Sequence, residues 1–304
     1  MNDRKGIILA GGKGTRLAPL TNAISKQLMP VYDKPMIYYP LTTLMMTGIK
    51  EIMIITTDND NLSFQKLLGD GRSLGISLKY AVQENPEGIA QAFIIAKDFI
   101  RDSSVVLALG DNIFHGSNLV SSLKEANQNR EINTLFAYPV KDPERYGIVE
   151  FDDKFNAIKI DEKPNKPKTN YAITGLYFYN NFALEHISKL KPSQRGELEI
   201  TSLNQILLEE QKLKVKLLGR GTAWLDTGTY DSLHEAGAFI RTLEHRQGLK
   251  IGCPEEVAWR QRWISNQELE FLAQPLLKSG YGEYLLQLID NTDINNRYLS
   301  SNLN

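Results

Sequence analysis

Apolar residues in the first half of the chain cluster in short continuous runs. Runs rich in β-branched residues lie at 7–10, 52–57, 78–82 and 105–109. Such runs are typical of strands that are buried on both faces of a sheet. Because stretches with helical spacing separate them, the pattern predicts a parallel sheet covered by helices on both faces, which is an α/β fold.

The spacing of apolar residues outside these runs predicts several helices. Apolar positions at i, i+4, i+7 and i+11 predict a helix over 89–100, and another is expected after Ser117 as its N-cap. The same periodicity predicts a helix around 233–243. The region from Pro254 onward reads as helical, with Ser265 opening a capping box.

The pattern changes at about residue 134. It predicts a hairpin from 146–151 and 157–160 and a further strand at 175–179, with a proline-rich loop between them. We interpret this region as an insertion that completes a cleft beside the first half. The asparagine-rich tail, 291–304, is expected to be flexible.

The charge balance and the cysteine count exclude several classes of protein. The 304 residues include 35 basic and 36 acidic side chains, a net charge of −1, which argues against a nucleic-acid binder. The single cysteine, Cys253, permits no internal disulfide and fits a reducing compartment. The four histidines are scattered, and no apolar run reaches the roughly 18 residues of a membrane helix. We therefore expect a cytoplasmic protein with no nucleic-acid or membrane partner.

The most specific motif, GGKGTRL at 11–17, directly follows the first strand. Its glycines let the backbone approach an anion closely and turn N–H groups toward it. It is neither a Walker A loop nor a dinucleotide fingerprint, because no Ser or Thr follows Lys13 and Leu17 stands where the third glycine belongs. An ordinary glycine-rich turn is the alternative. Arg16 and Lys26 favour a highly charged ligand such as a triphosphate.

Two aspartates each follow a short apolar segment, Asp111 in LGDN and Asp226 in AWLDTG. Ligands of α/β proteins bind at the carboxyl ends of the strands. Two carboxylates that face a phosphate-binding loop there would form a Mg²⁺ site. Taken singly, each aspartate could equally be a turn residue or a helix cap.

Weaker signals concern a sugar and a base. Glu162 could accept hydrogen bonds from sugar hydroxyls, and Lys163 could hold a phosphate, although such pairs are usually solvated surface. The amide of Gln83 matches the imide edge of thymine or uracil, but a turn explains its surroundings equally well. The sequence contains no clear Ser-His-Asp or Cys-His arrangement. That absence favours a reaction whose nucleophile is already an anion, such as nucleotidyl transfer to a phosphate.

With these motifs the chain resembles the sugar-phosphate nucleotidylyltransferases, and among them the glucose-1-phosphate thymidylyltransferase family. The resemblance begins with the motif at 11–17 and KQLMP at 26–30 and continues in the same order to about residue 263. Further matching segments are GIAQAF at 88–93, LGDN at 109–112, RYG at 145–147, EKP at 162–164, YAITGLY at 171–177, RGELEIT at 195–201, AWLDTG at 223–228 and CPEE at 253–256.

The resemblance implies a Mg²⁺-dependent reaction in which dTTP and glucose 1-phosphate give dTDP-glucose and pyrophosphate by direct in-line attack. This is the first step of dTDP-rhamnose-type sugar biosynthesis for lipopolysaccharide or cell-wall polysaccharide. The implied fold is a Rossmann-like, mostly parallel mixed sheet with an inserted sugar-binding lobe and a helical C-terminal region. The implied enzyme is a homotetramer that dTDP-rhamnose inhibits by feedback.

The resemblance also divides the chain into parts. A core over 1–250 contains a nucleotide-binding part at about 1–130 and a sugar-binding part at about 131–228. The helical region 251–290 is expected to serve regulation and oligomer contacts.

The roles of the family fall on particular residues of this chain. The expected catalytic residues are Arg16, Lys26 and Lys163, and the expected Mg²⁺ ligands are Asp111 and Asp226. The expected nucleotide-binding residues are Leu9, Gly11, Gly12, Gly14, Thr15, Arg16, Gln27, Gln83, Pro86, Gly88 and Asp111. The expected sugar-phosphate-binding residues are Asn112, Tyr146, Gly147, Glu162, Lys163, Thr174, Tyr177 and Trp224. The expected inhibitor-binding residues are His115, Gly116, Cys253, Glu256 and Arg260.

Two other functions remain open at this point. One is the same chemistry with another nucleotide, giving UDP-glucose or ADP-glucose, because Glu84 and Asn85 depart from the residues usual in the family beside the base. The other is a non-catalytic sensor of sugar nucleotides. A sensor would be expected to have lost Arg16, Lys163 or one of the two aspartates, and all four residues are present.

Overall fold

The computed structural model describes residues 4–290, which form thirteen β-strands and eleven α-helices. The strands are β1 (Lys5–Ala10), β2 (Pro30–Val31), β3 (Lys34–Pro35), β4 (Glu51–Thr56), β5 (Ser77–Val82), β6 (Val105–Leu109), β7 (Asn112–Gly116), β8 (Asn133–Pro139), β9 (Gly147–Phe151), β10 (Ala157–Glu162), β11 (Tyr171–Tyr179), β12 (Leu213–Leu217) and β13 (Thr222–Asp226). The helices are α1 (Tyr38–Met46), α2 (Asp58–Leu68), α3 (Gln91–Ile95), α4 (Lys97–Ile100), α5 (Leu119–Gln128), α6 (Asn181–Glu185), α7 (Ile200–Glu209), α8 (Tyr230–Gln247), α9 (Pro254–Arg260), α10 (Asn266–Ala273) and α11 (Tyr281–Asp290).

Nine strands form one mixed sheet with the order β10-β9-β11-β6-β1-β4-β5, and β8 and β12 extend it beside β11. The strands β6, β1, β4 and β5 are parallel to one another. The long strand β11 runs antiparallel to β6 and β8 and joins the first half of the chain to the insertion. The predicted α/β fold with a mainly parallel central sheet is therefore confirmed.

The central sheet is buried on both faces, as its continuous apolar runs predict. Ile7 and Ile8 are neighbours in β1, both fully buried, yet they belong to two different hydrophobic clusters. Val105 and Val106 in β6 divide between the same two clusters. Because successive side chains of a strand point to opposite faces, one cluster lies on each side of the sheet.

Local sequence signals explain several element boundaries. Pro254 occupies the first turn of α9, where its missing N–H costs no helical hydrogen bond. Ser265 and Glu268 form the predicted capping box at the start of α10, with the Ser265 N–H donating to Glu268 Oε2 at 2.7 Å. The predicted hairpin is present as β9 and β10. These predictions are confirmed.

Two helix predictions differ from the structure. The helix predicted over 89–100 is split into α3 and α4, because Ala96 leaves the helical region with φ −86° and ψ 7°. The prediction that Ser117 caps the next helix is wrong. Because β7 continues to Gly116 and two turn residues follow it, α5 begins at Leu119, and its N-cap side chain makes no capping hydrogen bond.

The C-terminal helices pack on one face of the central sheet. Ala258, Leu269 and Leu285 belong to the same hydrophobic cluster as Leu41 and Leu44 of α1. The region 251–290 thus shares its core with the first half of the chain. Within residues 4–290 no helix is both long and apolar enough to cross a membrane. The tail predicted to be flexible, 291–304, lies outside the described residues.

Candidate active site

The glycine-rich motif and Asp111 meet at the carboxyl edge of the central sheet. Because β1 and β6 are parallel neighbours, the segments that follow them emerge side by side, and the Gly110 N–H donates to the Leu9 carbonyl at 2.9 Å. Gly12 and Arg16 are exposed in this loop, and Gly14 has a φ of +60°, which residues with a Cβ rarely adopt. The loop therefore presents backbone groups and a cation at the edge of the sheet.

A cavity of about 460 Å³ opens beside this edge, between the first half of the chain and the insertion. Seven of the eight predicted sugar-phosphate residues line it. They are Asn112, Tyr146, Gly147, Glu162, Lys163, Tyr177 and Trp224.

The eighth residue, Thr174, does not line the cavity. Its neighbours on β11, Ile173 and Gly175, both do. Because side chains alternate between the faces of a strand, Thr174 lies on the opposite face, where it is fully buried. The structure therefore does not bring Thr174 to the sugar pocket as predicted.

Lys26 and Asn112 hold the two oxygens of Asp111. The buried Lys26 ammonium contacts Asp111 Oδ2, and Asn112 Nδ2 donates to Asp111 Oδ1 at 2.9 Å. Burial alone would raise the pKa of Asp111, but the Lys26 charge and these hydrogen bonds outweigh it and lower the pKa. Asp111 is therefore ionised and fixed in orientation.

The second aspartate reaches the same place through a different sheet. β13 pairs with β7 so that Asp226 lies opposite Asn112, and the Thr227 hydroxyl donates to the Asp111 carbonyl at 2.8 Å. Burial and the neighbouring negative charge of Asp111 raise the pKa of Asp226. The structure thus brings the two predicted metal ligands together from positions 115 residues apart.

Cationic and hydroxyl groups surround Asp226. Arg145 Nη2 and the Tyr146 hydroxyl each lie 3.3 Å from Asp226 Oδ2. Arg16 is also close, since a Cβ added at Gly228 would lie 3.0 Å from Arg16 Nη2 and 3.1 Å from Asp226 Oδ1. An anionic ligand at this point would meet two guanidinium groups.

The two aspartates fit a divalent cation. Carboxylate oxygens are ligands that Mg²⁺ prefers. Burial and the negative charge of Asp111 raise the pKa of Asp226, and a bound cation would balance the charge of the two carboxylates. Within residues 4–290 no group of three or more His, Cys, Asp or Glu side chains could hold a metal. A Mg²⁺ ion at this edge would therefore take further oxygens from substrates or water.

At one end of the cavity, hydrogen bonds and ion pairs hold Glu162. Glu162 Oε2 accepts a hydrogen bond from the Thr201 hydroxyl, and its other oxygen lies 3.5 Å from Arg195 Nη2 and 3.8 Å from Lys163 Nζ. A Cβ added at Gly147 would lie 3.3 Å from Glu162 Oε2, so a side chain there would crowd the carboxylate. This end offers acceptors for hydroxyl groups and cations for a phosphate.

Aromatic side chains form the wall between the two ends. The Trp224 indole N–H donates to Asn112 Oδ1 at 2.6 Å, and its ring centroid lies 5.3 Å from that of Tyr146. Asn112 Oδ1 also accepts from the Gly175 N–H at 3.0 Å. Asn112 therefore ties the aromatic wall to Asp111.

The predicted base-reading residues lie on the other side of the glycine loop. Gln83 is buried, and its side chain lies directly against the Cα of Gly11, where an added Cβ would collide with it. Gly88 has a φ of +109°, and a Cβ there would lie 2.5 Å from the Leu198 carbonyl. Only glycine fits at this point.

The remaining predicted nucleotide residues differ in their exposure. Gln27 is buried and accepts from the Ser25 hydroxyl at 2.6 Å, whereas Thr15 and Pro86 are exposed.

The sequence assigned no role to Arg145, which lines the cavity, or to Arg195, which pairs with a residue of the cavity. Arg145 contacts Asp226, and Arg195 makes ion pairs with Glu162 and Glu199. Both occur in segments that match the family, RYG and RGELEIT, but no spacing rule marks either arginine. Only the structure shows that they reach the acidic groups of the cavity.

A second cavity, of about 420 Å³, lies between β7, α1 and the C-terminal region. All five predicted inhibitor-binding residues line it: His115, Gly116, Cys253, Glu256 and Arg260. Arg260 Nε donates to Glu256 Oε1 at 2.7 Å, while its buried Nη2 has no partner within the described residues. Burial lowers the pKa of His115. β7 connects the two cavities, because Asn112 lines the first and Gly116 the second.

Comparison with known proteins identifies the family. The sequence model of the nucleotidyl transferase family matches residues 5–242. Glucose-1-phosphate thymidylyltransferase of Neisseria meningitidis serogroup A is 57% identical over 285 residues, which cover 94% of this chain and 99% of the relative. The chain belongs to the glucose-1-phosphate thymidylyltransferase family. The family member from Mycobacterium tuberculosis H37Rv is also 57% identical, over 94% of this chain and 99% of that protein. The chain is therefore a nucleotidyltransferase.

Solved structures agree with this assignment. A Bacillus anthracis protein described as a glucose-1-phosphate thymidylyltransferase, in complex with sucrose, is 40% identical with a TM-score of 0.73, covering 78% of this chain and 95% of that chain. A UDP-glucose pyrophosphorylase complexed with UDP-glucose has a TM-score of 0.70 at 22% identity and covers 80% of this chain and all of that one. At that identity the second likeness shows a shared fold alone.

Proposed function

We propose that the enzyme transfers a thymidylyl group from dTTP to glucose 1-phosphate, giving dTDP-glucose and pyrophosphate in a Mg²⁺-dependent reaction. The main support is the meeting of Asp111, Asp226 and Arg16 at one edge of the sheet, beside a cavity that ends at Glu162. The named activity of relatives 57% identical over nearly their whole length supports the same reaction.

The glycine loop would hold the triphosphate. Gly11, Gly12, Gly14 and Thr15 offer backbone groups at the carboxyl edge of β1, and the exposed Arg16 would offset the charge that builds on departing pyrophosphate. Gln83 and Gly88 would contact the base on the far side of the loop. The nucleotide would thus extend from Gln83 past the loop to the aspartates.

The sugar phosphate would occupy the cavity, with its phosphate between the aspartates and Lys163. Lys163 would hold this phosphate, while Glu162 and the Gly147 backbone would contact sugar hydroxyls. The phosphate oxygen is already an anion, so it needs no general base to attack the α-phosphorus of dTTP in line with pyrophosphate.

Charge is the main obstacle to this attack, because both reactants are anions. Asp111 and Asp226 would hold Mg²⁺, which polarises the α-phosphoryl group and neutralises charge when it is bound. Lys26 keeps Asp111 ionised and oriented for that task. Arg145, which contacts Asp226, would add a further positive charge beside the reacting phosphates.

A screen of pyrophosphate release with glucose 1-phosphate, Mg²⁺ and each nucleoside triphosphate tests the proposal. We expect dTTP to be preferred and UTP to react about tenfold more slowly, since thymine and uracil share an imide edge and differ by one methyl group. Preference for ATP or GTP would overturn the base assignment. Absence of pyrophosphate release with every nucleotide, despite binding, would favour the sensor instead.

We also propose that the second cavity is regulatory and takes a thymidine diphosphate sugar such as dTDP-rhamnose. Its support is the convergence of the five predicted residues and its link to the active site along β7. Such feedback would suit a cytoplasmic homotetramer at the start of dTDP-rhamnose-type biosynthesis.

The Glu256→Ala variant is expected to need about tenfold more dTDP-rhamnose for half-inhibition, because a charged hydrogen-bond partner in the cavity is lost. Inhibition of the initial rate of pyrophosphate release measures the effect. Glu270→Ala, an exposed substitution on α10, is the matched control and should leave inhibition unchanged. Equal sensitivity of all three proteins would remove Glu256 from the inhibitor site.

A further inference from the structure

Gln83, Gln91 and Glu87 form a row of hydrogen bonds beside the glycine loop. Gln83 Nε2 donates to Gln91 Oε1 at 2.5 Å, and Gln91 Nε2 donates to Glu87 Oε2 at 3.0 Å. The Glu87 backbone N–H also donates to Gln91 Oε1 at 3.1 Å, sharing its hydrogen with the Asn85 carbonyl at 3.0 Å. Gln83 is buried, Gln91 is half-buried and Glu87 is exposed.

Glu87 determines which way both amides point. A backbone N–H can only donate a hydrogen bond, and an ionised carboxylate can only accept one. Because Glu87 supplies both groups, Gln91 must turn its oxygen toward the backbone N–H and its NH₂ group toward the carboxylate. The oxygen of Gln91 then also faces Gln83, so Gln83 must present its own NH₂ group to it.

The main chain holds Glu87 in place. The Leu198 N–H donates to the Glu87 carbonyl at 2.6 Å, and the Ala90 N–H donates to the Leu198 carbonyl at 3.2 Å. Gly88 lies against the same backbone, since an added Cβ would be 2.5 Å from the Leu198 carbonyl oxygen. The row of hydrogen bonds therefore starts from a fixed segment of backbone and not from a free loop.

The orientation of Gln83 leaves its amide oxygen facing the glycine loop. That oxygen is the atom nearest to a Cβ added at Gly11. Thymine and uracil have a proton on the ring nitrogen N3 and can donate it to such an oxygen. Cytosine has an unprotonated acceptor at N3, so two acceptors would face each other and leave both unsatisfied. A flipped Gln83 amide would reverse this preference.

We propose that Gln91, held by Glu87, is a positioning residue that fixes the Gln83 amide and thereby selects bases with a ring N–H over bases with a ring acceptor. This inference rests on the proposed function, in which Gln83 reads the base. It assigns to Gln91 a contribution to base selectivity through Gln83, without contact with the nucleotide.

The test compares kcat/KM for dTTP and dCTP in matched variants. Gln91→Leu frees the Gln83 amide to rotate, so the preference for dTTP over dCTP should fall by about tenfold, the effect of about one hydrogen bond. Gln91→Glu combined with Glu87→Gln exchanges the carboxylate and the amide, keeps an acceptor for Gln83 Nε2 and a donor between positions 87 and 91, and should retain most of the preference. Gln267→Leu makes the same chemical change at an exposed position of α10 and should leave the preference intact.

The ratio of kcat/KM for dTTP to kcat/KM for dCTP separates a positioning role from a merely structural role, because a structural role would lower both values equally. An unchanged ratio in Gln91→Leu would therefore overturn the inference. Gln83→Leu tests the proposed base reading itself and should abolish the preference. If Gln83→Leu retains the preference for dTTP, the assignment of Gln83 to base reading fails, and the inference about Gln91 fails with it. If Gln91→Leu retains the preference and Gln83→Leu loses it, the assignment of Gln83 to base reading stands and the positioning role of Gln91 is wrong.

Discussion

Replacing Asp226 with asparagine is expected to lower turnover by about 10²–10³-fold while the protein stays folded. Asparagine keeps the shape of the side chain and removes one of the two negative charges at the sheet edge. Asp111→Asn should behave similarly. Because both carboxylates would act through one ion, the double variant should lose less than the product of the two single losses. Pyrophosphate release across a Mg²⁺ titration, with thermal unfolding in parallel, measures these effects.

Asp142→Asn is the matched control for this experiment. Asp142 pairs with Arg145, as Asp226 does, but it lies outside the pair of strand-end carboxylates. A loss caused by misplacement of Arg145 should therefore appear in Asp142→Asn as well, whereas we expect that variant to lose less than about tenfold. Nearly full activity of Asp226→Asn at limiting Mg²⁺ would show that the two aspartates do not hold the metal.

The central sheet could be predicted because burial on both faces leaves a continuous apolar signal in the sequence. Elements with little burial left no such signal. Only Phe64 and Leu68 are buried in α2, and β12 is a partly exposed strand with alternating lysines. Neither pattern differs enough from a surface loop to predict an element.

At the candidate site, long-range contacts limit what can be predicted from the sequence. Asp111 and Asp226 each follow an apolar segment, so each could be proposed from the sequence. Their proximity depends on the antiparallel ladder between β7 and β13, a long-range pairing that no local pattern specifies. The same holds for Gln91, because no local pattern in the sequence indicates its contact with Gln83. Family resemblance supplied the roles, and the structure supplied the partners.

The largest expected effect on stability concerns a closed ring of four charged side chains, two from the β2–β3 hairpin and two from the C-terminal part of the chain. Lys34 Nζ donates to Glu244 Oε1 at 2.8 Å and contacts Asp33, while Lys250 contacts Asp33 and lies 3.4 Å from Glu244 Oε2. Lys34 and Glu244 are buried, and Glu244 Oε1 also accepts from the Ile251 N–H at 2.9 Å. Burial alone would raise the pKa of Asp33, but the two ammonium groups outweigh it and lower the pKa.

Lys34→Met should therefore reduce the free energy of unfolding by about 3 kcal/mol, because it leaves the buried Glu244 carboxylate and the exposed Asp33 carboxylate to share one cation. Adding Glu244→Leu removes the excess charge, so the double variant should lose less than the sum of the single losses. Arg72→Met breaks an exposed pair with Asp70, 3.2 Å apart, and should change the free energy by less than about 1 kcal/mol. Urea denaturation followed by circular dichroism measures the wild type, the two single variants Lys34→Met and Glu244→Leu, their double variant, and Arg72→Met. If Lys34→Met destabilises the fold no more than Arg72→Met does, the buried ring contributes no more than a surface ion pair.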